Sequence, residues 1–93
     1  MQDLSNCTVL VVDDTEINVE LLTAALNSQY RIDVAYNGSG ALESVQRARP
    51  DLILLDIKMP GMDGFEVCRR LKNDPLTADI PVVFITGMNH STD

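Results

Sequence analysis

Three apolar runs in this chain end in groups that can do chemistry. Thr8-Val9-Leu10-Val11-Val12 stops at the acid pair Asp13-Asp14, Leu52-Ile53-Leu54-Leu55 stops at Asp56, and Pro81-Val82-Val83-Phe84-Ile85 stops at Thr86. Taken singly, each is the kind of residue that caps a helix or makes a turn. Their coincidence at the same end of three buried runs is harder to explain that way. In an open parallel sheet, ligands bind outside the carboxyl ends of the strands, where strand order reverses. If the three runs are neighbouring strands, their terminal side chains meet in one cleft. Carboxylates so close repel one another, and either one takes a proton or a divalent cation sits between them. Carboxylates together with waters and a backbone carbonyl suit Mg2+, with Mn2+ an alternative.

The elements that must hold these groups can be read in order. The first run is β-branched and apolar without alternation, as a strand buried on both faces reads. A helix follows, with Ile17, Leu21, Leu22, Ala25 and Leu26 expected on its inner face, Asp14 or Thr15 as its cap and Asn27-Ser28 at its end. Arg31 to Tyr36 alternates polar and apolar, as a strand nearer the sheet edge would. Asn37-Gly38 and Gly40 precede a second helix that turns Ala41, Leu42, Val45 and Ala48 inward and ends before Pro50. Leu52 to Leu55 is the third strand. A third helix from Gly64 or Phe65 to Lys72, capped by Asp63, presents Phe65, Val67 or Cys68, and Leu71 to the core. Asn73-Asp74-Pro75 breaks it, and the fourth strand leads to Thr86-Gly87. Such strict alternation with short connections predicts a doubly wound α/β domain with a parallel sheet and helices on both faces.

Composition narrows the function classes. The sequence holds 93 residues, 45% of them hydrophobic and 23% charged, which is room for one small globular domain. A net charge of −7, with only seven Lys and Arg, argues against a nucleic-acid surface and suits a cation. No run of about 18 apolar residues is present, and the first residues have neither the basic start nor the apolar core of a signal peptide. The expected location is cytoplasmic, with Cys7 and Cys68 as free thiols.

These residues resemble the receiver domain of two-component response regulators, the phospho-accepting half of histidine-to-aspartate signalling. The resemblance rests on VLVVDDTEINVELL, PDLILLDIKMPGMDGFEVCRRLK and IPVVFITG, which together cover nearly the whole chain. It implies that Asp56 accepts the phosphoryl group, that Asp14 binds Mg2+ directly, and that Asp13 acts on the ion through water. It further implies that the backbone carbonyl of Lys58 completes the coordination while the Lys58 side chain points to solvent. Thr86 would be the switch hydroxyl, and Gly87 the small neighbour that leaves the acceptor open. The implied donor is a sensor histidine kinase or phosphotransfer protein. His90, the one histidine, lies in a polar stretch and is expected to be exposed rather than a donor.

The family's strand order, 2-1-3-4-5, leads to a further expectation. The sequence ends at Asp93, before the family's fifth strand with its Lys, before the aromatic residue that accompanies the switch, and before the last helix. Residues 1–93 are thus expected to form a single receiver domain, incomplete at that end, with strands ordered 2-1-3-4. The fourth strand would be an uncovered apolar edge, open to an output domain or to a second copy. Two alternatives remain. A receiver that works by pairing alone would take no phosphate. A magnesium-dependent phosphohydrolase would carry a second acid two residues past its nucleophile, where this chain has Lys58.

Overall fold

The computed structural model describes residues 6–85. Strand and helix alternate as β1 (Thr8–Val12), α1 (Glu16–Leu26), β2 (Arg31–Ala35), α2 (Gly38–Arg47), β3 (Leu52–Asp56), α3 (Gly64–Lys72) and β4 (Val82–Ile85). The strands form one parallel sheet in the order β2-β1-β3-β4, the doubly wound arrangement the sequence predicts. The chain moves from β1 outward to β2, then back past β1 to β3 and β4. With right-handed crossovers, that reversal puts α1 on one face and α2 with α3 on the other.

Side chains alternate along the central strands and build two cores. Leu10, Val12, Ile53 and Leu55 meet Ala41, Val45, Val67 and Leu71 beneath α2 and α3, whereas Val9 and Val11 meet Val19 of α1. β2 lies at the edge, and its Ile32 and Val34 are only half-buried, which explains its alternating sequence. Among the described residues β4 is the other outer strand, with Val83 and Phe84 exposed.

Four local expectations need correction. On α1, Asn18 and Val19 are buried while Ile17 and Leu21 are 59% and 58% exposed. The stretch EINVELLTAAL is apolar around most of its circumference, so its periodicity does not select one face, and the sheet takes the Val19 side with Leu22. The α1 start is also held differently. Thr15 occupies the cap position without a side-chain cap bond, and Asp13 Oδ1 accepts the Thr15 N–H at 2.9 Å. Ala48 is exposed because it is the C-cap of α2, already extended at φ −150°.

Phe65 is the fourth correction. Gly64 is the α3 residue pressed against the end of β3, so the next residue, about 100° further round the helix, turns outward. Its ring packs at 5.2 Å and 59° against the ring of Phe84. The α3 cap follows the sequence, with Asp63 Oδ1 accepting the Glu66 N–H at 2.9 Å, and on α2 Asn37 Oδ1 caps by accepting the Gly40 N–H at 2.7 Å.

The segment between α3 and β4 is pinned at several points. Thr77 Oγ1 donates to Leu71 O at 2.7 Å, and Lys72 Nζ donates to Ile80 O at 2.8 Å. Arg49 reaches from beyond α2 to Leu76 O and to Asp79, 2.7 Å away. These bonds seat Ile80 in the core and deliver β4 alongside β3.

Candidate functional site

Strand register brings the acids together. Val12 lies opposite Leu55, so one residue further Asp13 and Asp56 leave adjacent strands side by side. By alternation they continue the sets Val9, Val11 and Leu52, Leu54 that face α1. Asp14, the next residue, is exposed. One carboxylate oxygen from each of Asp13, Asp14 and Asp56 falls within 4.8 Å of the others.

Asp13 and Asp56 are 1% and 2% exposed. Burial raises the Asp56 carboxyl above its ordinary value, and the charge of Asp13 raises it further. The Lys58 backbone N–H, bonded to the Asp56 carboxylate, pulls the other way, while Asp14 adds to the rise. A divalent cation relieves this crowding without a proton, and three carboxylate oxygens with one open side are the hard donor set that Mg2+ accepts. The residues present therefore fit such an ion.

The IKMPGMDG loop is shaped by two glycines. Gly61 adopts φ +75°, a left-handed conformation that glycine enters without strain and that turns the chain back toward the sheet. Gly64 donates its N–H to Ile57 O at 2.8 Å. A Cβ at Gly64 would overlap the Asp56 carbonyl oxygen and lie 2.9 Å from Ile57 Cα. The start of α3 and the end of β3 thus touch backbone to backbone, and this contact fixes where the Asp56 side chain emerges. The Lys58 side chain is exposed.

Thr86, Gly87 and His90 lie outside the described residues. Two further residues set the cluster's geometry: Gly64, which the sequence marks only as a helix start, and Asn18, which it does not mark. Gly64 carries no side-chain signal, and its role is a backbone approach. Asn18 bonds Asp13 as an amide among apolar residues one turn past the acid pair.

Comparison with known proteins agrees with this architecture. The response regulator receiver domain family matches residues 9–93. Response regulator PleD of Caulobacter vibrioides is 54% identical over 86 residues, covering 91% of this chain. A Vibrio cholerae protein named "Probable cyclic di-GMP phosphodiesterase" is 45% identical over 93 residues, covering 100% of it. The chain spans 19% and 21% of the lengths of these two relatives. Among solved structures, the N-terminal domain of a response regulator receiver protein from Methanoculleus marisnigri superposes with a TM-score of 0.84 at 42% identity. That match covers 90% of this chain and 69% of the other. The chain belongs to the response regulator receiver domain family.

Proposed function

We propose that this chain is a phosphorylation-controlled signalling module in which Asp56 accepts a phosphoryl group in a Mg2+-dependent step. The observation that carries this reading is the buried Asp56 at the end of β3, with carboxylate oxygens of Asp13 and Asp14 within 4.8 Å. An Asp56 oxygen attacks the phosphorus of a phosphohistidine on a partner kinase or phosphotransfer protein. The P–N bond breaks, its electron pair returns to the ring, and the ring leaves as neutral imidazole after taking up one proton. Bound Mg2+ would supply the positive charge that lets a carboxylate approach an anionic phosphoryl group.

The chain's own residues have separate tasks. Asp14, exposed at the rim, is suited to bind the ion directly. Asp13, whose two oxygens already accept N–H groups, acts through water. The Lys58 backbone completes the set through its carbonyl while its N–H holds the acceptor carboxylate. Thr86 is the switch hydroxyl, with Gly87 leaving space beside the acceptor. A new phosphoryl group adds about −1.5 to −2 charge and three acceptor oxygens, which draw a nearby hydroxyl and shift the population of β4-side conformations.

Residues 1–93 act in this reading as one receiver unit without substrate turnover. Its output is a surface read by an attached module or by a second copy along β4. The test is intact mass after incubation with Mg2+ and a small acyl phosphate. One added phosphoryl group that is lost with a chelator and with Asp56→Asn is the expected result. Steady phosphate release over many turnovers, or no adduct at all, contradicts it.

A further inference from the structure

The hydrogen bonds around Asp13 single out a residue outside the acidic cluster. Asn18 lies on the inner face of α1, 4% exposed, and its Nδ2 donates to Asp13 Oδ2 at 3.3 Å. The other oxygen, Oδ1, accepts the Thr15 N–H at 2.9 Å, and the Asp13 N–H donates to Ala35 O at 3.1 Å. Asp13 is therefore held by α1, by the loop before it and by β2. Each carboxylate oxygen has two lone pairs and so keeps acceptor capacity beyond these bonds, and one Asp13 oxygen lies within 4.8 Å of an oxygen of Asp14 and of Asp56.

A buried amide is costly unless bonded, and the positions beside Asn18 on this face are apolar, Val19 and Leu22 among them. Packing alone would favour a leucine there. What the amide adds is a donor without charge. A Lys or Arg could also bond Asp13, but its charge would cancel one of the three negative charges that attract a divalent ion. Asn18 orients the carboxylate and leaves the attraction whole.

We propose that Asn18 is a positioning residue for the cation site: it holds the Asp13 carboxylate in the orientation that turns an oxygen toward Asp14, Asp56 and the ion's water. This rests on the reading of the cluster as a Mg2+ site. Outer-shell partners of metal ligands typically change metal affinity by about 10- to 100-fold when removed. We expect the low end, about tenfold, because Asp13 itself acts through water.

The experiment is a Mg2+ titration of the full chain and of Asn18→Leu, followed by amide NMR, with thermal unfolding of both in chelator. The expected result is a split. Mg2+ affinity falls about tenfold in Asn18→Leu while its metal-free thermal midpoint stays level or rises. A lower midpoint with unchanged affinity means that Asn18 only supports the fold, and overturns the proposal. Should Asn18→Leu fail to fold, the wild-type chain decides the matter. Its Asn18 side-chain amide signals must move as Mg2+ saturates, and if they stay fixed while the Asp56 signals move, the proposal fails. A wild-type chain with no Mg2+ response at all overturns both this inference and the metal reading. A responsive wild type with an unaffected Asn18→Leu overturns this inference alone.

Discussion

The two faces of the sheet are packed very differently. Beneath α2 and α3, eleven residues form a buried cluster that runs from Leu10 and Ile53 out to Leu71 and Ile80. Among the described residues, the buried hydrophobic cluster beneath α1 is Val9, Val11 and Val19, with Leu22, Tyr30, Ile32, Val34, Leu52 and Leu54 partly covered. The acids lie at the end of the lightly packed face. Among the described residues, buried apolar side chains are thus concentrated on one side of the sheet and the charged cluster lies on the other, joined by the strands β1 and β3.

The sharpest way to break this contrast is to remove equal side chains from each face. Leu55→Ala, at a site with no exposed surface, should cost about 2–5 kcal/mol. Leu22→Ala, half-buried on the sheet-facing side of α1, should cost roughly 1 kcal/mol by comparison with such fully buried sites. Urea unfolding midpoints of the two variants check this. Equal losses would mean that α1 contributes as much as the opposite face.

Gly64→Ala tests the link between the faces. The added Cβ would press on the Asp56 carbonyl oxygen and on Ile57 Cα, both backbone atoms that cannot rotate aside. We expect a loss of about 1–3 kcal/mol from overpacking. Phosphoryl uptake should fall further than stability explains, since the strain sits on the acceptor itself. Intact mass at a temperature where the variant remains folded separates the two effects. Uptake equal to wild type would show that the contact is structural only.

Much of this architecture was legible because its signals are local. Runs such as TVLVV and LILLD are too apolar to lie anywhere but between two layers, and their acids mark one end of the sheet. The parallel sheet with helices on both faces follows from alternation and the handedness of crossovers, whereas the strand order follows only from the family resemblance. The unreadable parts depend on tertiary choice. The nearly all-round apolar α1 could present Ile17 and Leu21 or Val19 and Leu22 to the sheet, and only packing decides. Asn18 is a buried amide only on the Val19 face, so nothing in the sequence marks it until packing selects that face. The outward turn of Phe65 has a related cause: the close approach of Gly64 sets the rotation of α3, and no side chain announces it.

The smallest expected effects come from two carboxyls whose environments push in opposite directions. Asp56, buried among acids, titrates above its ordinary 3.8, whereas Glu66 on α3, bonded by Arg69 at 3.0 Å and Arg70 at 2.8 Å, is lowered from 4.5 to about 2. A raised folded-state value favours folding while the group is protonated. In chelator, the Asp56 contribution is therefore fully present below the unfolded value and is lost as pH rises through the folded one. Asp56→Asn has no charge to lose, so it should be more stable than wild type near neutral pH, and this advantage should vanish in acid. Glu66 has the opposite sign. Its stabilisation is present above the ordinary value and disappears as pH falls toward 2, and Glu66→Gln should lose most near neutrality. The Glu66 effect should be the weaker, because its partners are in solvent and salt screens them. Paired unfolding curves across pH at low and high salt test this: the Asp56→Asn difference should survive salt and the Glu66→Gln difference should shrink. If both respond to salt alike, the acidic cluster is no better shielded from solvent than an exposed helix surface.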